Sequence, residues 1–179
     1  FFFQPEAGIR DPLWSRGLGD VYKRQLFNIL DGGRYPNPYR NKLVIDAFAG
    51  TGALGLEAIS RGASHVIFLE QAVTSLKVLF QNIRSINAQD ITTVITGDAT
   101  QFGQPSYERA GLVMLDPPYK SQMGISCIKA LKNNGWIGPD TLIVLEHSSK
   151  EKVCNPEWIK ILDNRRYGLS HLTFMHEMA

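Results

Sequence analysis

Asp116-Pro117-Pro118-Tyr119 follows directly on the apolar run Leu112-Val113-Met114-Leu115. Two prolines donate no backbone N–H and fix φ, so the Asp116 carboxylate and the Pro117 carbonyl can be held rigidly toward one ligand atom. Tyr119 adds an aromatic face beside them. Two acceptors next to a stacking ring suit an exocyclic NH2 on a nucleobase, which donates two hydrogens and lies in the plane of a π system. A carboxylic acid or an alcohol would need donors instead. A tight turn after a strand is the plainer explanation, since Asp-Pro and Pro-Pro are ordinary turn dipeptides. What accompanies the turn therefore matters more than the turn alone.

Three further acids stand where apolar runs end. Asp46 lies in the run Lys42 to Ala47, Glu70 closes Val66 to Leu69, and Asp98 follows Thr92 to Thr96 across Gly97. If these runs are parallel strands, all four acids fall on the carboxyl edge of the sheet, where such folds bind ligands. Each acid alone is unremarkable where a strand meets water. Together they make a negative rim suited to a cationic ligand with hydroxyl and amine donors, a description that S-adenosylmethionine fits. Gly50-Thr51-Gly52-Ala53-Leu54-Gly55 follows the first strand and satisfies the dinucleotide fingerprint, with Glu70 about twenty residues on. A nicotinamide dehydrogenase is thus the competing reading. Asp46 opposes it, standing close to where a pyrophosphate would lie, and the Asp-Pro-Pro-Tyr turn has no role in hydride transfer.

The elements that position these residues alternate. The spacing predicts the end of a helix over Leu26 to Leu30, stopped by Asp31-Gly32-Gly33, then a strand at 42–47, a helix over 53–60 and a strand at 66–69. Ala72, Val73, Leu76, Leu79, Phe80, Ile83 and Ile86 recur at three- and four-residue spacing and predict an amphipathic helix. Strands follow at 92–96, 112–115 and 142–145, with a helix over 122–133, and two closing strands at 158–162 and 169–175. Such alternation predicts an α/β, doubly wound, mostly parallel sheet.

The chain has 179 residues, 44% hydrophobic and 20% charged, enough for one domain with a real core. A net charge of +2 permits a nucleic-acid partner without demanding one. Cys127 and Cys154 lack metal-ligand spacing and the four histidines are scattered, so no zinc site or disulfide framework is indicated. The apolar runs are too short for a membrane span, and a soluble monomer is expected. Residues 1–25 begin without Met and show neither helical nor strand periodicity, nor the pattern of a signal peptide. The expectation is a non-family segment, disordered or of non-native origin, joined to a methyltransferase domain over residues 26–179.

With these motifs in hand, the chain resembles the RsmD-like family of bacterial methyltransferases that modify a guanine amine in small-subunit ribosomal RNA. The resemblance is carried by Leu26-Phe27-Asn28-Ile29-Leu30, Gly33-Arg34-Tyr35-Pro36, the block from Asp46 to Ala58, Gly97-Asp98-Ala99 and Leu115 to Tyr119. It implies a seven-stranded Rossmann-like fold with a reversed final hairpin, the cofactor S-adenosylmethionine, and a cytoplasmic enzyme acting on 16S rRNA in the small subunit. Carried over, Asp46, Phe48, Gly50, Thr51 and Gly52 would hold the methionine part, Glu70 the ribose hydroxyls, and Asp98 and Ala99 the adenine. Asp116, Pro117, Pro118 and Tyr119 would form the catalytic turn. Arg34, Arg40 and Lys120 are candidate RNA contacts, with Arg165, Arg166 and Tyr167 open to the same reading or to that of a solvated loop. The family's basic arm before Leu26 is replaced here by Val21-Tyr22-Lys23-Arg24-Gln25. Other amine methyltransferases of this fold, acting on DNA adenine or a protein amide, remain alternatives, as does a non-catalytic cofactor-binding or RNA-binding remnant.

Overall fold

The computed structural model describes residues 18–101, 103, 108–118, 122–151 and 153–178. The chain divides into two compact units, one ending at Asn37 and one running from Pro38 onward. In the first, a single helix is described, α1 (Leu18–Asp31). It begins eight positions ahead of Leu26, earlier than the absence of a clear apolar period over residues 1–25 predicts. Residues 18–25 are therefore helical rather than unstructured, and residues 1–17 lie outside the described set.

The second unit runs β1 (Leu43–Ala47), α2 (Ala53–Ser60), β2 (His65–Glu70), α3 (Val73–Ser85), β3 (Thr92–Thr96), β4 (Leu112–Leu115), α4 (Met123–Asn133), β5 (Leu142–Ser148), β6 (Ile159–Tyr167) and β7 (Ser170–Glu177). One sheet takes all seven strands in the order β3-β2-β1-β4-β5-β7-β6. The first five pair in parallel and the last two run antiparallel. This is the α/β, doubly wound sheet that the alternation of elements predicts, with the seven strands and the reversed closing hairpin that the resemblance implies.

Position in the sheet explains the composition of each strand. β1 and β4 are buried at every residue, which is why β4 reads as an unbroken apolar run and β1 as one interrupted only by Asp46. β3 and β6, at the two edges, are only partly covered. An edge strand tolerates charge, and for that reason β6 extends through Asn164, Arg165 and Arg166 to Tyr167, although its apolar signal stops at Leu162. A bulge between Ile161 and Asp163 shifts its register. The turn of the hairpin is confined to Gly168 and Leu169, where Gly168 takes φ 58°.

The core is built from Ile45, Ile67, Val113, Ile128, Leu131, Trp136, Ile143 and Met175 among others. Trp136 is buried and donates its indole N–H to the Gly103 carbonyl at 3.0 Å, so it both fills the core and ties down a loop. Of the apolar positions on α3, only Leu76, Leu79 and Ile83 are buried, while Val73, Val78 and Phe80 face solvent, as does Ile86 just past its end. The inward stripe is narrower than the sequence period suggests. No helix among the described residues is long and apolar enough to cross a membrane.

Candidate active site

The carboxyl edge of the parallel strands gathers the predicted acids. Ala47 on β1 pairs with Leu69 on β2 and Leu115 on β4, and Leu69 pairs with Ile95 on β3. Asp46 therefore lies one residue below that row, Glu70 and Asp116 one above, and Asp98 three above.

Asp46 and Glu70 grip the glycine loop from two sides. The Asp46 carboxylate, only 2% exposed, accepts the Gly55 N–H at 2.8 Å. Burial, opposed by that amide and reinforced by the charge of Glu70, pushes its pKa up to about 7. Glu70 accepts from the backbone N–H groups of Gly50 at 2.7 Å, Gln71 at 2.8 Å and Ala72 at 2.7 Å. A carboxylate offers about four acceptor positions, so one, on the oxygen bound to Gly50, stays open to a ligand donor.

The loop itself is wound through three left-handed residues, Phe48 at φ 64°, Gly50 at 56° and Gly52 at 83°. For glycine this conformation is easy, whereas for phenylalanine it is strained, and such strain concentrates at ligand sites. Asn82 of α3 holds the loop from outside by donating to the Thr51 carbonyl at 2.9 Å. Gly55 has a different role: a Cβ there would stand 2.3 Å from Phe68 Cε1 and 2.8 Å from Val66 Cγ1. Its missing side chain lets α2 pack directly on β2. The fingerprint glycines are thus divided between shaping the loop and seating the helix.

Asp98 is held by its own turn. Its Oδ1 accepts both the N–H and the hydroxyl of Thr100 at 2.8 Å, and the Thr100 amide is the main reason its carboxyl sits below the usual range. Ala99 beside it is buried. On α4, burial and secondarily the charge of Asp98 push the Cys127 thiol far up, leaving it protonated and inert.

At the end of β4 the Asp116 N–H points at the Ala47 carbonyl, 3.4 Å away, which ties the Asp-Pro-Pro turn to the strand carrying the glycine loop. Asp116 and Pro117 are half-buried and Pro118 is exposed. Gly124, in the first turn of α4, lets that helix close on the turn, since a Cβ there would stand 3.2 Å from Pro117 Cγ and 2.6 Å from Leu145 Cδ1. Phe48's strain, Asn82 and Gly124 leave no distinctive mark in the sequence beyond a glycine early in a helix. Tyr119 and Lys120 lie outside the described residues.

Arg34, 6.0 Å from the centre of the Tyr35 ring, belongs to the first unit. Arg40 forms a bridge with Ala63 just before β1, which places it at the amino-terminal edge of the sheet, opposite the acids. His147, at the end of β5, is occupied on both nitrogens, Nδ1 by the Ser148 carbonyl at 3.1 Å and Nε2 by the Thr173 hydroxyl at 2.9 Å. Burial is the main cause of its lowered pKa, so a neutral ring donates from Nδ1 and accepts at Nε2, a packing role. Glu57 pairs with Arg61 one turn on, as a helix-surface charge does. Among the described residues no cluster of three or more His, Cys, Asp or Glu could hold a metal ion.

Comparison with known proteins converges on one group. A family described as Conserved hypothetical protein 95 matches residues 14–176. Ribosomal RNA small subunit methyltransferase D of Haemophilus influenzae is 32% identical over 161 residues, covering 86% of this chain and 79% of that protein. A solved Haemophilus influenzae structure, provisionally named a methylase, superposes with a TM-score of 0.74 at 29% identity, covering 90% of this chain and 99% of its own. An Escherichia coli structure, provisionally named methyltransferase YhhF, does so with 0.75 at 25% identity, covering 89% and 88%.

Proposed function

Since the chain belongs to the Conserved hypothetical protein 95 family, the RsmD family of methyltransferases, we propose that it methylates the exocyclic N2 amine of a guanine in 16S rRNA of the small ribosomal subunit. The observation that carries this reading is the Asp116-Pro117 turn held against the end of β1, directly beside the glycine loop. The residues present fit S-adenosylmethionine: a buried acid and an acidic rim for its cationic part, a partly open Glu70 carboxylate for a ribose hydroxyl, and side-chain-free backbone for close approach. When bound, the cofactor supplies an activated methyl group on a sulfonium. Asp46 and the Gly50 to Gly52 backbone would hold its methionine part, Glu70 its ribose, and Asp98 with the Ala99 amide its adenine edge.

The chain's own contribution to the reaction is orientation. An aromatic amine is a poor nucleophile because its lone pair is delocalised into the ring. Accepting both N–H hydrogens at the Asp116 carboxylate and the Pro117 carbonyl favours a nitrogen with more sp3 character and directs its lone pair at the methyl carbon. The same acceptors stabilise the positive charge that develops on nitrogen, and the proton then leaves through Asp116 or water. Tyr119 stacks on the base once it has left its own stack. The test is methyl transfer from labelled S-adenosylmethionine to unmodified small subunits. Label in a guanine N2 amine is the expected result. Label in adenine, or none despite bound cofactor, would overturn it.

A further inference from the structure

Arg40 lies away from the acidic edge of the sheet, but the strand register brings there Arg166, a cation of the closing hairpin that the sequence leaves open between an RNA contact and a solvated loop. The row that contains Asp116 continues outward. Leu115 pairs with Leu145, so Glu146 stands beside Asp116; Glu146 pairs with Leu172, and Leu172 with Arg165. At about 4.8 Å per strand, Arg165 lies about 14 Å from Asp116 along this row. Because β7 runs antiparallel to β5, the tip of the final hairpin projects past the row on the same side as the acids. Arg166, Tyr167, Gly168 and Leu169 form that tip. The turn after β5 is fastened to it, since the Ser149 N–H donates to the Leu169 carbonyl at 2.8 Å, which sets Lys150 beside Leu169.

We infer that the tip of the β6–β7 hairpin, with Arg166 and Lys150 as its cations, is a docking surface for the RNA backbone flanking the target nucleotide. The inference rests on the proposed RNA substrate. Arg166 is exposed and its Nε donates to the Gly168 carbonyl at 3.2 Å, which steadies a guanidinium suited to pairing with a phosphate. Lys150 is exposed beside it. Among the described residues the other charges on this corner are Arg165, paired with Asp163 at 2.8 Å, together with Glu151 and the buried Glu146, so Arg166 and Lys150 carry the positive field of that set. Leu169, 61% exposed, and half-buried Tyr167 supply apolar surface on which a flanking base can rest. The acidic rim beneath would repel a polyanion. A cationic lip on the far side of the Asp116 turn lets the strand lie away from that rim while one base reaches in.

The test compares Arg166→Glu with Lys160→Glu in the full chain. Lys160 is an exposed cation on the same strand, near the opposite edge of the sheet, so both changes shift net charge equally. Affinity for deproteinised small-subunit rRNA is measured over a range of salt, with S-adenosylmethionine affinity and thermal midpoint measured alongside. Arg166→Glu should weaken RNA binding about tenfold and reduce the salt slope by about one, while Lys160→Glu changes it by less than about twofold. Arg166→Ala, which removes charge without reversing it, should show the same ordering at smaller size. Equal losses in the two reversals, or none in either, would refute a docking surface at the tip. Wild-type chain that binds cofactor but no RNA would instead remove the RNA substrate itself, and this inference with it.

Discussion

The two halves of the sheet's carboxyl edge hold their polar groups in opposite ways. On the β3-β2-β1 side, Asp46, Glu70 and Asp98 are bonded mainly to backbone amides, those of Gly55, Gly50, Gln71, Ala72 and Thr100. On the β5-β7-β6 side, polar groups meet side chains and carbonyls: His147 with Thr173 and Ser148, Arg165 with Asp163, Arg166 with Gly168. Backbone amides cannot swing away, so the first half is fixed before any ligand arrives. Preformed geometry suits a small cofactor that must be placed to a fraction of an ångström. Long exposed side chains suit a large, irregular polyanion. Asp116 stands between the halves, tied by its amide to Ala47 of the first and standing beside Glu146 of the second.

The sharpest way to separate the halves is Asp116→Ala. Removing an acceptor that acts on the reacting amine should lower methyl transfer by about 10²–10³-fold. Cofactor affinity, measured by calorimetry, should change by less than about twofold, because no cofactor contact is assigned to Asp116. Equal losses in both would move Asp116 into the cofactor half. Glu70→Gln should show the converse. It weakens one charge-assisted acceptor for a ribose hydroxyl and the staple to Gly50, so cofactor affinity should drop by more than about tenfold while turnover at saturating cofactor stays near wild type. A variant with normal cofactor affinity would show that Glu70 serves the loop alone.

The edge position of the four acids was legible from the sequence because each stands in, or within two residues of, a strand-forming run whose direction is set by the parallel fold. Asp46, Glu70, Asp98 and Asp116 all stand within three residues of one row. What stayed hidden depends on packing between distant residues. Gly124 reads as a weak helix residue until Pro117 and Leu145 are seen against it, and Phe48 carries no sign of its left-handed backbone. The length of β6 was hidden for another reason: at an edge, hydrogen bonding to β7 holds Asn164 to Arg166 in a strand without any apolar period. The same loss of signal left Arg165, Arg166 and Tyr167 open between RNA contacts and a solvated loop, since only strand register puts them on the edge that carries the acids. α3 erred the other way, its period continuing through Val73, Phe80 and Ile86 although they are exposed.

Proton uptake distinguishes the halves next. Asp46 is buried and its pKa is raised to about 7, so near neutrality the empty site keeps a proton that a bound cation would expel. Cofactor affinity should therefore rise about tenfold between pH 6 and pH 8, and the heat of binding should vary with the ionisation enthalpy of the buffer. Asp46→Asn should flatten both. Stability of the free protein moves the other way. A folded pKa above the unfolded one means that this group's contribution is complete below about pH 4 and is lost as pH rises through about 7. A pH-independent affinity would place the cofactor's cation away from Asp46.

The smallest effect expected is at the structural polar pair of the other half. Thr173→Val removes the hydroxyl that donates to His147 Nε2 while keeping the β-branched shape preferred in a strand. It leaves a buried ring nitrogen without its donor, which costs about 1–3 kcal/mol of stability. Turnover and cofactor affinity should stay within about twofold of wild type, because His147 has both nitrogens committed to the sheet and none to the reaction. A large fall in turnover without loss of stability would make His147 part of the chemistry. That outcome would also dissolve the division of the edge, since a group on the β5-β7-β6 side would then be acting on the same atoms as Asp116.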